Sequence, residues 1–350
     1  MTLLDLPEEI LYIISAYISA IDRVALLSAS RKYRQYFEPI HYRQDAYGKR
    51  PAALIWASEN GNVQTIKKAI AASDGVHIPR GVDGRWPLSV AAKAGHEPVL
   101  ELLFASERAD PNERDDYGQT SLSLSSFMGH TGVVKLLLSV SGINPDPIDN
   151  YGRSALSLAA EAGHVGVMEL LLNIEGVDAD SRDVDGQSPL WFAIGKGHKE
   201  VVNLLIGTER VDVGMTDNDG NTPLIWAAWK GNLDMVKLLL ATKGVNPSSW
   251  NNKGQTALTT ASINGNEALV ELLLATEGVD PDSKDNSGST PLLFAASGGH
   301  ETVVKVLLQT GRVDSNHIND EGNTAMAEAL WNHHLGVVEL LNDWDNVCRL

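Results

Sequence analysis

Ten histidines and 45 acidic side chains are the residues of this 350-residue chain that could bind a metal or carry protons. Their spacing argues against both. His96, His130, His164, His198, His300 and His334 fall on one lattice, separated by 34 residues or multiples of 34. A zinc site needs a tight set such as His-Glu-x-x-His, which is missing, and His333-His334 has no spaced Glu or His beside it. Asp115, Asp149, Asp183, Asp217 and Asp285 also recur on the lattice, in Gly- and Asn-rich stretches. There a carboxylate bonds turn backbone more readily than it pairs as general acid and base. The chain holds no Gly-x-Ser-x-Gly elbow and no Gly-x-x-x-x-Gly-Lys phosphate loop. Neither a catalytic set nor a metal or cofactor site is expected.

The lattice belongs to an internal repeat. Glycines stand at 84, 118, 152, 186, 220, 254, 288 and 322, and a second series runs through Gly61, Gly95, Gly129, Gly163, Gly197, Gly231, Gly265 and Gly299 to His333. About nine units of 34 residues fill residues 49–350, the first of them worn. Each unit opens with turn chemistry, as in residues 278–288, and then reads Thr-Pro-Leu or its like, as at Thr222-Pro223-Leu224. Thr caps a helix, Pro suits its first position and Leu begins an apolar face. Small pairs such as Ala91-Ala92 and Ala227-Ala228 let neighbouring helices approach, and the second glycine stops the helix. A second helix with a valine pair and a leucine run, as at Val133-Val134 and Leu136-Leu137-Leu138, must bury its stripe against the next unit.

These residues resemble the ankyrin repeat, over about 300 residues. A 34-residue period is nominally that of tetratricopeptide repeats, but the long turn in each unit decides for ankyrin. The resemblance implies an all-α ankyrin-repeat solenoid in which the histidine after the second glycine supports a turn by hydrogen bonding. Two departures stand out. The histidine usual after Thr-Pro-Leu is replaced in every unit, for example by Ser157, Trp191 and Ile225. Each unit also carries one extra residue after the leucine run, which predicts a lengthened second helix or turn. Asn342 to Asn346 give the last unit a polar finish.

Residues 1–48 form a different module. The first fifty residues carry seven basic and six acidic side chains, whereas the remainder has a net charge of −18. Leu6-Pro7-Glu8-Glu9-Ile10 starts a helix with Ile10, Ile14 and Ile18 on one face, and Asp22 caps a second with Leu26. The stretch resembles an F-box, which implies docking on the Skp1 subunit of a cullin-RING ubiquitin ligase through Leu6, Pro7, Ile10, Ile14 and Leu26. Ala29 and Tyr33 replace the usual Val and Trp. A plain helical cap over the first repeat is the other reading.

What differs between units points to a partner. In ankyrin proteins the ninth and tenth positions after the first glycine end the first helix on the concave side. Here they include Phe127, Met128, Trp229 and Lys230, and the preceding fingers add Arg85, Tyr117, Tyr151 and Arg153. Aromatics and arginines dominate interface energetics, so these residues form the predicted target-binding groove; packing on neighbouring units is the competing role. Trp191, Phe192, Trp226 and Phe294 lie nearer the seam between units and are expected in the core.

A net charge of −17 and a pI near 4.9 repel nucleic acid and anionic lipid and favour a protein target with basic residues. One cysteine, Cys348, allows no internal disulfide, and the start lacks a secretory n-region. A cytoplasmic or nuclear location is expected. Three functions fit: a ligase substrate adaptor, an ankyrin scaffold without a ligase link, or a solenoid with a small-molecule or catalytic pocket near Trp191, Trp226 and Trp229.

Overall fold

The Thr or Ser ahead of each first helix does what its side chain allows. Thr120, Ser154, Thr222, Thr256, Thr290 and Thr324 each accept the backbone N–H three residues on, satisfying a donor that the helix start leaves open. A computed structural model describes residues 52–72, 86–107 and 109–348, with side chains described from Leu54 to Trp344 in these spans. The F-box-like stretch, with Leu6, Pro7, Ile10, Ile14 and Leu26, lies outside the described residues, as does Arg85.

Among the described residues the chain is all α-helical, in nine helix pairs, with no strand and two isolated β-bridges, Ile148 to Ser154 and Trp250 to Thr256. The pairs are α1 (Ala52–Glu59) with α2 (Val63–Ala72), α3 (Pro87–Ala94) with α4 (Glu97–Ala105), α5 (Ser121–Met128) with α6 (Thr131–Leu138), and α7 (Ala155–Ala162) with α8 (Val165–Leu172). There follow α9 (Pro189–Lys196) with α10 (Lys199–Gly207), α11 (Pro223–Trp229) with α12 (Leu233–Leu240), and α13 (Ala257–Ile263) with α14 (Glu267–Leu274). The last are α15 (Pro291–Ser297) with α16 (Glu301–Gln309), and α17 (Ala325–Trp331) with α18 (Leu335–Cys348).

The described residues divide into two compact units, the first ending at Asp178 and the second beginning at Ala179. Within each, first helices pack on first helices and second helices on second helices, so each repeat contacts mainly its neighbours. Alanine pairs of the first helices, such as Ala91-Ala92 and Ala227-Ala228, are fully buried, as are Leu137, Leu171 and Leu239 of the leucine runs. Where α5 has Ser125-Ser126 in place of alanines, Ser125 bonds the carbonyls of Ser121 and Leu122, while the buried Ser126 hydroxyl makes no hydrogen bond.

The extra residue of the 34-residue unit goes to two places. In α4, α10 and α16 it lengthens the second helix to nine residues, and a left-handed residue follows at Glu107, Glu209 and Gly311. In α6, α8, α12 and α14 the helix stays at eight residues and the left-handed position moves out to Gly142, Gly176, Gly244 and Gly278. A left-handed backbone costs an L-residue about 1–2 kcal/mol, so glycine keeps the short-helix form inexpensive. The last second helix, α18, runs on through residues 342–346.

Candidate functional site

The histidine lattice proves to be a set of links between repeats. His96, His130, His164, His300 and His334 each place Nε2 3.0–3.1 Å from a main-chain oxygen 37 residues earlier, at Glu59, Lys93, Phe127, Ile263 and Ser297. A carbonyl only accepts, so Nε2 carries the proton and donates. The partner is thus the end of the preceding repeat's first helix, not only the histidine's own turn. Among the described residues no group of three or more His, Cys, Asp or Glu is placed to hold a metal.

The turn carboxylates are likewise committed. Asp149 Oδ1 accepts the N–H groups of Tyr151 and Arg153 at 2.9 Å, and Asp115, Asp183, Asp217 and Asp285 make the same pair of bonds in their own fingers. Adjacent fingers join backbone to backbone, as where Asn150 donates to the Tyr117 carbonyl at 3.0 Å. Finger tips are therefore held in register, and what they carry is displayed at a fixed spacing.

In the first unit Tyr117 is 62% exposed at a finger tip, and Phe127 and Met128 are exposed at the end of α5. A cleft of about 400 Å³ opens between Tyr117, Leu124 and Lys93. Tyr151 is also exposed and lies beneath the Arg153 guanidinium, 5.3 Å from ring centroid to Cζ. Arg153 itself turns inward: its guanidinium makes two bonds to Asp149 Oδ2 at 2.9 and 3.0 Å and approaches Glu161 at 3.5 Å. Both bonds go to the one oxygen, so Arg153 braces the finger that carries Tyr151.

In the second unit three tryptophans make a ladder. Trp191 is 1% exposed and lies 5.5 Å from Trp226, whose ring stacks on Trp229 at 5.1 Å with an interplanar angle of 10°. Lys230 Nζ is 4.5 Å from the Trp226 centroid and 4.7 Å from that of Trp229. Trp191 is in the core, as expected, while Trp226, Phe192 and Phe294 are half-buried at its margin. Trp229 remains 55% exposed beside a cleft of about 470 Å³ that also meets Ile263 and Asp219. Stacking fixes its rotamer before any partner arrives, which lowers the ordering cost of binding.

Two residues escape the sequence reading. Trp250, 69% exposed, projects from a finger; a lone tryptophan in a run of Asn and Ser was the available signal. Asn264 donates to the Trp229 carbonyl at 3.1 Å, in a repeat where Asn266 stands in the histidine place.

Models of three-copy ankyrin repeats match residues 54–149, 88–183, 129–213, 166–249, 205–285 and 258–348. The chain belongs to the ankyrin-repeat family, whose members are protein-interaction scaffolds. Among solved structures it is similar to the ankyrin repeat domain of Bcl-3, described as a unique member of the IkappaB protein family, at 31% identity. That likeness covers 65% of this chain and 99% of that one, with a TM-score of 0.57. No curated protein matches the chain by sequence. Among the described residues no helix is long and apolar enough to cross a membrane.

Proposed function

We propose that the chain is a non-enzymatic adaptor, the target-recognition subunit of a Skp1-cullin-F-box type ubiquitin ligase. On this reading residues 1–48 dock on a Skp1-type subunit and residues 49–350 hold the protein to be modified. The target side rests on one observation: Trp229 is held by Trp226 and Lys230 yet keeps more than half its surface in water. A large aromatic exposed at a braced helix end is what an interface hot spot requires. Tyr117, Phe127, Met128 and Tyr151 supply the same kind of surface in the first unit. The acidic array selects a target with basic residues flanking an apolar anchor, and its field speeds association at low salt. The ligase side rests on the Leu6-Pro7 and Glu9-Ile10 motif.

The deciding experiment is capture by the full chain and by its Leu6→Ala/Pro7→Ala variant. Loss of a Skp1-type subunit with retention of other partners supports the adaptor. Capture of partners by both forms with no Skp1-type subunit in either leaves a scaffold without a ligase link.

A further inference from the structure

Asn112 joins its own finger to the next one through both ends of its amide. Oδ1 accepts the main-chain N–H of Asn144 at 2.7 Å, and Nδ2 donates to the carbonyl of Gly142 at 2.8 Å. In later repeats this place is held by Asp146, Asp180, Gly214, Ser248, Asp282 and Asn316. Ser248 keeps the donor half, its hydroxyl bonding the carbonyl of Gly278, again 30 residues ahead. Asp146 keeps the acceptor half, Oδ2 taking the N–H of Asp178 at 3.1 Å. Asp282 likewise accepts the N–H of Asp314.

The second oxygen is the anomaly. Oδ1 of Asp146 and Oδ1 of Asp282 are buried and make no hydrogen bond. Counted 30 residues ahead, as from Asn112 to Gly142, the carbonyl expected opposite Oδ1 is that of Gly176 for Asp146 and of Arg312 for Asp282. A charged carboxylate there sets two acceptors against each other. A proton on Oδ1 converts the same geometry into the bond that Asn112 makes with Gly142.

We propose that Asp146 and Asp282 are acid-tightened clasps between successive repeats, open when the carboxylate is charged and closed when Oδ1 holds a proton and donates to the carbonyl ahead. The junction at Asn112 is closed at any pH, so the array carries its yielding joints at chosen places. Burial above all raises both carboxyls above the usual Asp range, against the lowering effect of the N–H each accepts. The charged neighbour of Asp146 is Asp178; around Asp282 stand His317, Asp314 and Asp280, of which only His317 favours the charged form. A raised folded-state pKa gives stability that is full below the unfolded value near 3.8 and is lost as pH rises through the folded value.

The test is hydrogen exchange of the full chain at pH 7.5 and 5.5, corrected for intrinsic rates, in wild type, Asp146→Asn, Asp282→Asn and Asn112→Asp. At pH 7.5 the two Asn variants should protect the amides of Asp178 and Asp314 several-fold more than wild type, and the gap should narrow at pH 5.5. Asn112→Asp should loosen the Asn144 amide at pH 7.5 and recover it in acid. The thermal midpoint of the double Asn variant should exceed that of wild type at pH 7.5 by more than at pH 5.5. Asn variants no better protected than wild type, or a gap equal at both pH values, would overturn the proposal, and Asn112→Asp tests the same geometry independently.

Discussion

His164 holds Phe127 by its backbone: Nε2 of the imidazole lies 3.0 Å from the Phe127 carbonyl, across the junction between two repeats. The ring also fills the space beside Gly129, where a Cβ would come within 2.5 Å of Cε1 and Nδ1. In the second unit Asn264 does the same for the carbonyl of Trp229. The helix ends that display the two aromatics are thus fixed by the repeat that follows each.

Removing that hold should loosen the display before it unfolds the array. His164→Ala should cost about 1 kcal/mol, the net worth of a hydrogen bond, and raise exchange in the last turn of α5. Binding of a partner that uses Phe127 should weaken with it. Exchange unchanged around residues 125–130 would show that packing alone sets the helix end.

Backbone conformation and close packing should separate in two glycine experiments. Gly129→Ala places a side chain at φ 77° and against His164, and should cost more than the roughly 1–2 kcal/mol of left-handed strain alone. His333 occupies the corresponding place in the last described repeat at φ 62° and is exposed. Relief of strain minus the chain entropy of glycine makes His333→Gly stabilising by about 0.5–1 kcal/mol. Denaturant titrations measure both.

The tryptophan ladder should divide by exposure. Trp191→Ala empties a closed core site and should cost about 3–5 kcal/mol of stability. Trp229→Ala loses a stacking partner worth about 1 kcal/mol but at least ~2 kcal/mol of target binding if it is a hot spot. Phe127→Ala should follow Trp229→Ala. A Trp229 variant that unfolds the array, with binding lost only in proportion, would return the residue to a packing role.

Glu113 sets a pH dependence between 4.5 and about 8. Burial first, and the nearby charge of Asp110 second, push its carboxyl up from 4.5 to about 8, against a lowering main-chain hydrogen bond from Asp110. The folded chain then keeps a proton that the unfolded chain releases, so this group's contribution is full below 4.5 and lost as pH rises through 8. Glu113→Gln should have little effect on the thermal midpoint below about pH 4.5. From there its advantage over wild type should grow as pH rises toward about 8 and level beyond it. An advantage independent of pH would sink the assignment.

The 34-residue lattice of glycines, the Thr caps and the leucine runs made the helix pairs readable from the chain alone, because a repeat writes each local rule many times. The turn role of Asp149 and its equivalents was equally legible, since a carboxylate bonding its own turn is a matter of neighbours in sequence. Three things needed the tertiary structure. The histidines reach 37 residues back, so their partners depend on how repeats stack. The bracing of Arg153 by Asp149 and Glu161 likewise appears only in the folded finger. Asp146 and Asn112 occupy the same place, yet only the position of the next finger shows that one side chain meets two partners and the other meets one. Sequence fixes what is local and periodic; contacts between repeats decide charge pairing and exposure, because those depend on distances that no spacing along the chain contains.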